Sequence, residues 1–400
     1  MGEGGGAAGA LLFVGAGAAL LAYRRLRKEL KARLRRPLVE LHVHLDGSFD
    51  NRQLYELAKA HPERLEPQHR PLVEACKSFE DFEKLVVCRG FKDIFVMIKC
   101  FDLYLPLVRG DLGVIEEQAY AFVLEQARQN VVYTEVRYSP HLLCEGAAYE
   151  TENGAGLPDG APVVDAVTRG LRRGCAETGV VVNQIMCCLS FRPDWAMATV
   201  ELTHRYAENW PCAVVGVDIA AGEAHFEVSE NPKSFHAHTV AFQRAQELGL
   251  NVTLHAGEVG LGEHVEQAVR DFGAVRVGHG YQVLLSPDIL QRMVDQGVLF
   301  EVCPTSSFET GSWKGPAADI GDWTKHPLLG MLEAGAKVCV NSDDPSVFQC
   351  TLEEEIDLVC KEMGVPTSFI RQSTLDAIDG AFCHADEKER LRAIVNAYYA

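Results

Sequence analysis

Apolar residues in this chain are gathered into short runs, and eight runs after residue 36 have the character of buried strands. Each spans six to ten residues, is rich in β-branched or aromatic side chains, and ends in polar, Gly or Pro residues. The eight predicted strands are Leu38–Leu45, Val131–Ser139, Val180–Leu189, Ala213–Ala220, Asn251–Glu258, Val275–Gly280, Leu299–Ser306 and Lys337–Asp344.

Segments with the apolar spacing of amphipathic helices lie between most of these runs, as in Ala161–Thr178, Trp195–Glu208 and Phe235–Leu248. A buried strand followed by a helix, repeated eight times, is typical of a closed parallel barrel. An open doubly wound sheet is the alternative, but no GxGxxG motif opens the first helix. We therefore predict the α/β class and a (β/α)8 TIM barrel.

The connection between the first and second predicted strands, residues 46–130, is far longer than one crossover needs. Its part from Phe79 to Leu107 has helical spacing. Segments that follow barrel strands lie on the face that carries barrel active sites, so we predict a helical lid inserted after the first strand. Most of its aromatic residues are expected to pack against the outside of the barrel; they are Phe79, Phe82, Phe91, Phe95, Phe101 and Tyr104.

The chain divides into an N-terminal extension, residues 1–36, and the predicted barrel, residues 37–400. The extension contains an uncharged run, Ala7–Tyr23, followed by a basic cluster. Seventeen residues are the lower limit for crossing a bilayer, so a membrane anchor and a dispensable extension both remain open. A secretory signal would carry its positive charge before the run. A basic cluster after the run keeps the following chain in the cytosol, so we expect a cytoplasmic protein, tethered or free.

Charge and cysteine content narrow the class of partner. The net charge is −18, and residues 1–36 carry +6, so residues 37–400 carry −24. A body this acidic repels phosphate backbones, which excludes nucleic acid as a partner. The thirteen cysteines include no CxxC pair and lie scattered through apolar runs, as is typical of free thiols in a reducing compartment.

Candidate chemistry lies at the ends of four predicted strands. The first ends in His42-Val43-His44, whose two imidazoles point to the same side because strand side chains alternate. The fifth ends in His255-Ala256-Gly257-Glu258, the sixth in Gly278-His279-Gly280, and the eighth in Asn341-Ser342-Asp343-Asp344-Pro345. A buried core histidine or a helix cap would explain any one of these. Four such groups at one barrel face favour a functional site.

Three neutral imidazoles and one carboxylate are a ligand set that suits Zn²⁺ and leaves a position for water. The fourth predicted strand and its end, as far as Glu223, contain no Lys, where a two-metal site would carry a bridging ligand, so one zinc ion per chain is expected. The predicted ligands are His42, His44, His255 and Asp343.

Three further residues of the same face are left for proton transfer and substrate binding. His279 can take the proton of an attacking water. Glu258 is a candidate acid that must stay protonated near neutral pH, and Asp344 can bond to the substrate.

Six motifs resemble the adenosine deaminases, in the adenosine/AMP deaminase family of the amidohydrolase superfamily. They are LHVHLDGS, VRYSPHLL, LHAGEVG, RVGHGY, EVCPTSSF and NSDDP, and the resemblance covers Pro37 to Ala400. It implies a one-zinc (β/α)8 hydrolase that replaces the 6-amino group of a purine with hydroxyl and releases ammonia.

The resemblance also implies roles for individual residues. His42, His44, His255 and Asp343 match the zinc ligands, and His44 is counted among the substrate-binding residues as well. Glu258 matches the residue that protonates ring N1, His279 the base that orients the water, and Asp344 the partner of N7 and of that water. Gly222, in AAGE where LAGDE is commoner, matches the backbone donor to N3, and Asp46 matches the contact to the ribose 5′-hydroxyl.

We therefore expect a zinc-dependent, monomeric enzyme of purine salvage that deaminates adenosine and 2′-deoxyadenosine. A carboxylate at Asp46 would accept a hydrogen bond from a 5′-hydroxyl and repel a 5′-phosphate. The alternatives are a nucleotide deaminase of the AMP type, or an idle protein that only binds a nucleoside. A two-metal esterase or nuclease is disfavoured because the second-metal ligand is missing.

Overall fold

The computed structural model of the chain describes residues 35–90, 92–146 and 157–400. Eight strands form one parallel sheet in the order β1 to β8, so each strand pairs with its neighbours in sequence. Their bounds are Leu38–His44 (β1), Val131–Tyr138 (β2), Val181–Leu189 (β3), Val214–Ala220 (β4), Asn251–Ala256 (β5), Arg276–His279 (β6), Leu299–Val302 (β7) and Lys337–Val340 (β8).

The sheet closes where β1 meets the segment that follows β8. The His44 N–H donates to the Asp343 carbonyl over 2.8 Å, and the Asp343 N–H donates to the His42 carbonyl over 3.1 Å. Val43 and Asp343 form the parallel bridge between the two segments. The predicted (β/α)8 barrel is therefore confirmed, and its seam lies among the predicted metal ligands.

Helices cover the outside of the barrel, so the strands are buried on both faces. The described helices are Asn51–Ala60 (α1), Arg70–Glu74 (α2), Phe79–Val86 (α3), Ile94–Val108 (α4), Leu112–Arg128 (α5), Ala161–Thr178 (α6), Ala196–Tyr206 (α7), Pro232–Glu247 (α8), Gly262–Phe272 (α9), Pro287–Gln296 (α10), Pro304–Glu309 (α11), Pro327–Glu333 (α12), Pro345–Phe348 (α13), Leu352–Lys361 (α14), Thr367–Gly380 (α15) and Ala385–Tyr399 (α16).

Five helices, α1 to α5, fill the long connection between β1 and β2. Phe82 and Tyr104 are fully buried in the apolar core that these helices share with the barrel, whereas Phe95 of α4 is 72% exposed. Phe101, also on α4, faces the cleft described below. Phe91 lies outside the described residues.

The chain ends in three helices, α14 to α16, and α15 packs against β8 and β1. No described helix combines the length and apolarity needed to cross a bilayer. The run Ala7–Tyr23 lies outside the described residues, so the choice between anchor and dispensable extension stays a prediction.

Candidate active site

Four side chains converge at the carboxyl end of the barrel: His42 and His44 from β1, His255 from β5, and Asp343 after β8. Each offers one ligand atom, and these four atoms all lie within 4.8 Å of one another. The His44 and His255 Nε2 atoms are 3.2 Å apart. Asp343 Oδ1 lies 3.3 Å from His42 Nε2 and 3.4 Å from His44 Nε2. The predicted ligand set is therefore brought together by the fold.

The proton positions at this cluster leave lone pairs pointing inward. His42 Nδ1 lies 2.8 Å from Glu301 Oε2, and His255 Nδ1 lies 2.9 Å from Asp218 Oδ2. Each Nδ1 carries a proton for its carboxylate, so each Nε2 presents a lone pair. His42 Nε2 is buried and has no donor among the described residues, although it faces the anionic Asp343 oxygen. Lone pairs and a carboxylate that converge without a proton donor fit a cation.

The two carboxylates behind the histidines share one buried cation. Arg137 of β2 donates to Asp218 Oδ2 and to Glu301 Oε2, each over 2.7 Å, and all three side chains are fully buried. Burial alone would raise the pKa of each carboxyl, but Arg137 and the imidazoles outweigh it and hold both pKa values below their usual range. The carboxylates therefore stay ionised and fix the orientation of both imidazoles.

None of these three residues is among the site residues predicted from the sequence. The available signal was a charged residue inside an otherwise apolar strand, as at Arg137, Asp218 and Glu301. Such a residue must find a partner inside the barrel because an unpaired buried charge is too costly. Which partner it finds depends on strands that are far apart in the sequence.

Glu258 lies just beyond β5 and is 5% exposed. Its Oε1 accepts a hydrogen bond from the Ser312 hydroxyl over 3.2 Å, and its Oε2 lies 3.9 Å from His279 Nε2. Burial raises the pKa of Glu258 to about 8, and the negative charge of Asp343 acts in the same direction. A carboxyl of this kind is protonated at neutral pH and can donate a proton.

His279 ends β6 and is 1% exposed, with a backbone φ of +62°. Its Nε2 lies 3.8 Å from Asp343 Oδ2, so the ring stands between Glu258 and the candidate metal ligands. Burial lowers the pKa of His279 well below its usual value, which leaves a neutral imidazole that can accept a proton.

Asp46 and Asp344 each present a buried oxygen to the cleft. Oδ1 of each has no partner among the described residues. Burial raises the pKa of Asp46 to about 6, although backbone hydrogen bonds act against it. A Cβ atom on Gly47 would lie 1.8 Å from Asp344 Oδ1, so only glycine fits beside this carboxyl. Burial raises the pKa of Asp344 well above its usual range, so this carboxyl can donate a hydrogen bond to a substrate, whereas Asp46 can accept one.

The cleft over the cluster has one polar and one apolar wall. The polar part of the lining is formed by the candidate site residues, and Gly222, with a φ of +93°, lines the cleft as well. None of the described residues that line the cleft is Lys or Arg. The apolar wall is formed by Ile94, Met97, Ile98, Phe101, Leu142, Leu189 and Phe191, the first four from the start of α4.

All the predicted site residues lie in or directly behind this cleft. His44, Asp46, Gly222, His255, Glu258, His279, Asp343 and Asp344 line it, and His42 lies beneath them with no exposed surface.

Almost the whole described chain is similar in sequence to adenosine deaminases. Residues 37–398 match the family model described as adenosine deaminase. The adenosine deaminase of Xenopus tropicalis is 33% identical over 368 residues, which is 91% of this chain and 96% of that protein. The adenosine deaminase of Enterococcus faecalis is 31% identical over 363 residues, 91% of this chain and 97% of that protein.

Two solved structures share the fold. A Burkholderia ambifaria amidohydrolase with bound zinc is 23% identical, covers 92% of this chain and 91% of its own, and has a TM-score of 0.73. The Arabidopsis N6-mAMP deaminase is 25% identical, covers 92% of this chain and 99% of its own, and has a TM-score of 0.69.

Proposed function

This chain belongs to the adenosine deaminase family, and from that premise we propose that it hydrolyses adenosine and 2′-deoxyadenosine to inosine and 2′-deoxyinosine with release of ammonia. The lining of the cleft is the observation that favours nucleosides over nucleotides as substrates. Asp46 lines this cleft, and none of the described lining residues is Lys or Arg, which supports a substrate without a 5′-phosphate.

His42, His44, His255 and Asp343 would hold one zinc ion, because their four ligand atoms lie within 4.8 Å of one another and the buried His42 Nε2 has no proton donor among the described residues. When bound, zinc supplies a positive charge that lowers the pKa of water to about 7. Glu301 and Asp218 keep the imidazoles oriented toward that position.

Glu258 would act on the purine ring. Attack of a water oxygen on C6 pushes an electron pair toward N1, and a protonated Glu258 supplies the proton that N1 then binds. Loss of ring aromaticity raises the barrier of this step, and an acid held beside N1 lowers it. The buried, protonated carboxyl of Glu258 supports this role.

His279 and Asp344 would handle the attacking water, His279 by accepting its proton and Asp344 by bonding to it and to N7. The Gly222 N–H would donate to N3, and Asp46 would accept a hydrogen bond from the ribose 5′-hydroxyl. His44 lines the cleft and would also contact the substrate.

Helix α4 would serve as the lid. Its first turns place Ile94, Met97, Ile98 and Phe101 along the cleft. An apolar cover excludes water that would otherwise compete for the hydrogen bonds to the ring.

The test compares adenosine with AMP and N6-methyl-AMP as substrates, followed by the loss of absorbance at the adenine band. We expect kcat/KM for adenosine to exceed that for either nucleotide by at least a hundredfold. Faster turnover of a nucleotide would overturn the choice of nucleosides and favour the activity named for the Arabidopsis relative. Absence of any turnover by the zinc-loaded protein would overturn the proposal and favour an idle nucleoside-binding protein.

We also propose a cytoplasmic monomer. All thirteen cysteines are free, as suits a reducing compartment, and the body is strongly acidic. Sedimentation of the purified chain tests the oligomeric state. Carbonate extraction of the full chain, beside a chain that begins at Arg36, tests whether the first residues attach it to a membrane.

A further inference from the structure

Glu223, three residues beyond the end of β4, binds four consecutive backbone amides of another strand's loop. Its Oε1 accepts the N–H groups of Glu258, Val259 and Gly260 over 2.8, 2.9 and 3.1 Å. Its Oε2 accepts the N–H of Gly257 over 2.9 Å. One carboxylate therefore gathers every amide of residues 257–260, the segment that carries Glu258.

A fifth donor completes the shell of this carboxylate. His264 Nδ1, at the start of α9, lies 2.7 Å from Glu223 Oε2. Burial alone would raise the pKa of Glu223, but His264 and the backbone amides outweigh it and leave the pKa below its usual value. Glu223 is 5% exposed, so it is a buried, ionised and fully hydrogen-bonded anion.

The loop is shaped around this anion. Gly257 has a φ of +64°, which turns successive N–H groups toward one point. A Cβ atom on Gly260 would lie 2.6 Å from Glu223 Oε2 and 2.3 Å from His264 Nδ1, so a side chain there would push the carboxylate away. The two glycines of the LHAGEVG segment therefore have a structural task beside the carboxylate.

Both peptide groups of Glu258 are held by hydrogen bonds, which fixes the backbone position from which its side chain starts. The Glu258 N–H is bound by Glu223, and its carbonyl accepts a hydrogen bond from Gln282 Nε2 over 2.9 Å. The carboxyl then reaches the cleft, where it meets Ser312. Glu223 itself is absent from the described cleft lining, so it acts on the substrate only through this loop.

We propose that Glu223 is the positioning residue of the deaminase site, whose carboxylate fixes residues 257–260 so that Glu258 is presented to the purine ring. The inference rests on the proposed function of Glu258 as the acid. The negative charge of Glu223 also lies behind Glu258 and helps to keep that carboxyl protonated.

The test replaces Glu223 with Gln in the full, zinc-loaded chain. Gln has nearly the same shape, but its NH₂ group must face backbone N–H groups on one side, because both carboxylate oxygens accept them. We expect kcat for adenosine to fall about a hundredfold, since displacement of a catalytic group by about 1 Å has that effect. KM should change less than about threefold and the zinc content should stay constant, because Glu223 touches neither the cleft nor a proposed ligand.

Two readouts separate positioning from mere stability. The alkaline limb of the kcat profile should move to lower pH in E223Q, because removal of a nearby negative charge makes Glu258 easier to ionise. E223D keeps the charge of the acceptor on a shorter side chain, so its kcat should be at least tenfold higher than that of E223Q. The matched control is E355Q, since Glu355 is another buried carboxylate that accepts a backbone amide, that of Thr305, over 3.0 Å. Its kcat should stay within twofold of the original.

The inference is overturned if E223Q keeps kcat within threefold, or if E223D and E355Q lose as much kcat as E223Q. If E223Q does not fold, G260A decides instead, because its Cβ atom would displace the Glu223 carboxylate, and an unchanged kcat in that variant would overturn the inference. Failure of the original chain to deaminate adenosine would instead overturn the proposed function, so the two outcomes are distinct.

Discussion

Glu301 Oε2 accepts a hydrogen bond from His42 Nδ1 over 2.8 Å, at a depth where neither side chain is exposed. Glu301 comes from β7 and His42 from β1, so the contact spans the closed barrel. The carboxylate decides which nitrogen of His42 carries the proton and thereby aims Nε2 at the other proposed ligands.

Replacement of Glu301 by Gln should weaken zinc binding. The amide is a weaker acceptor for the His42 N–H and brings no charge, so we expect the affinity to fall about 10- to 100-fold. Competition with a chromophoric chelator measures the affinity without any assay of activity. E355Q is the control and should bind zinc as the original chain does. Equal affinity in E301Q would contradict the assigned role.

Replacement of Glu258 by Gln should separate binding from chemistry. Gln cannot supply a proton to the purine ring, so kcat should fall by about 10²- to 10⁴-fold. The affinity for inosine, measured by calorimetry, should change less than about fivefold, since the side chain keeps its size and its contact with Ser312. A kcat near that of the original chain would remove Glu258 from the mechanism.

Replacement of Asp46 by Asn should relax the choice between nucleoside and nucleotide. Loss of a charged acceptor for the 5′-hydroxyl should lower kcat/KM for adenosine about tenfold, which corresponds to about 1.4 kcal/mol. The repulsion of a 5′-phosphate disappears at the same time, so kcat/KM for AMP should rise. Parallel assays of both substrates give the ratio, and an unchanged ratio would show that Asp46 does not recognise this end of the substrate.

The carboxyl of Glu355 should make the free energy of unfolding depend on pH. Burial raises the pKa of Glu355 to about 7, so the folded chain holds this proton more tightly than the unfolded chain does. The protonated carboxyl contributes to the free energy of unfolding in full below a pH of about 4.5. This contribution, about 3 kcal/mol, is lost as the pH rises to 7 and above.

E355Q has no proton to lose, and its side-chain oxygen can still accept the Thr305 N–H. Urea unfolding of both chains at pH 5 and pH 8 isolates the effect, because other titrating groups are common to the two. The stability of E355Q relative to the original chain should improve by about 2 kcal/mol between these values. A constant difference would show that Glu355 does not titrate in this range.

Local pattern was enough to identify most strands and helices. The predicted helix Ala161–Thr178 agrees with α6 at both ends, because its apolar spacing is uninterrupted and Gly179 at a φ of +83° ends it. The last predicted strands were too long. Val275–Gly280 was predicted where the strand is Arg276–His279, since positive φ values of +62° at His279 and +76° at Gly280 turn the chain out of the ladder after His279. Strand ends that carry site residues turn away from the sheet, and hydrophobic periodicity does not record that turn.

The sequence by itself determined the closed barrel and the residues that meet at its carboxyl end. A repeated strand and helix pattern permits few folds, and in this one all strand ends lie on the same face. Tertiary structure alone decided how these residues are held. Arg137 with Asp218 and Glu301, and Glu223 with residues 257–260, pair positions that are 34 to 164 residues apart along the chain. Such pairs follow from which strands become neighbours or face each other across the barrel, and the local sequence around each residue does not indicate its partner.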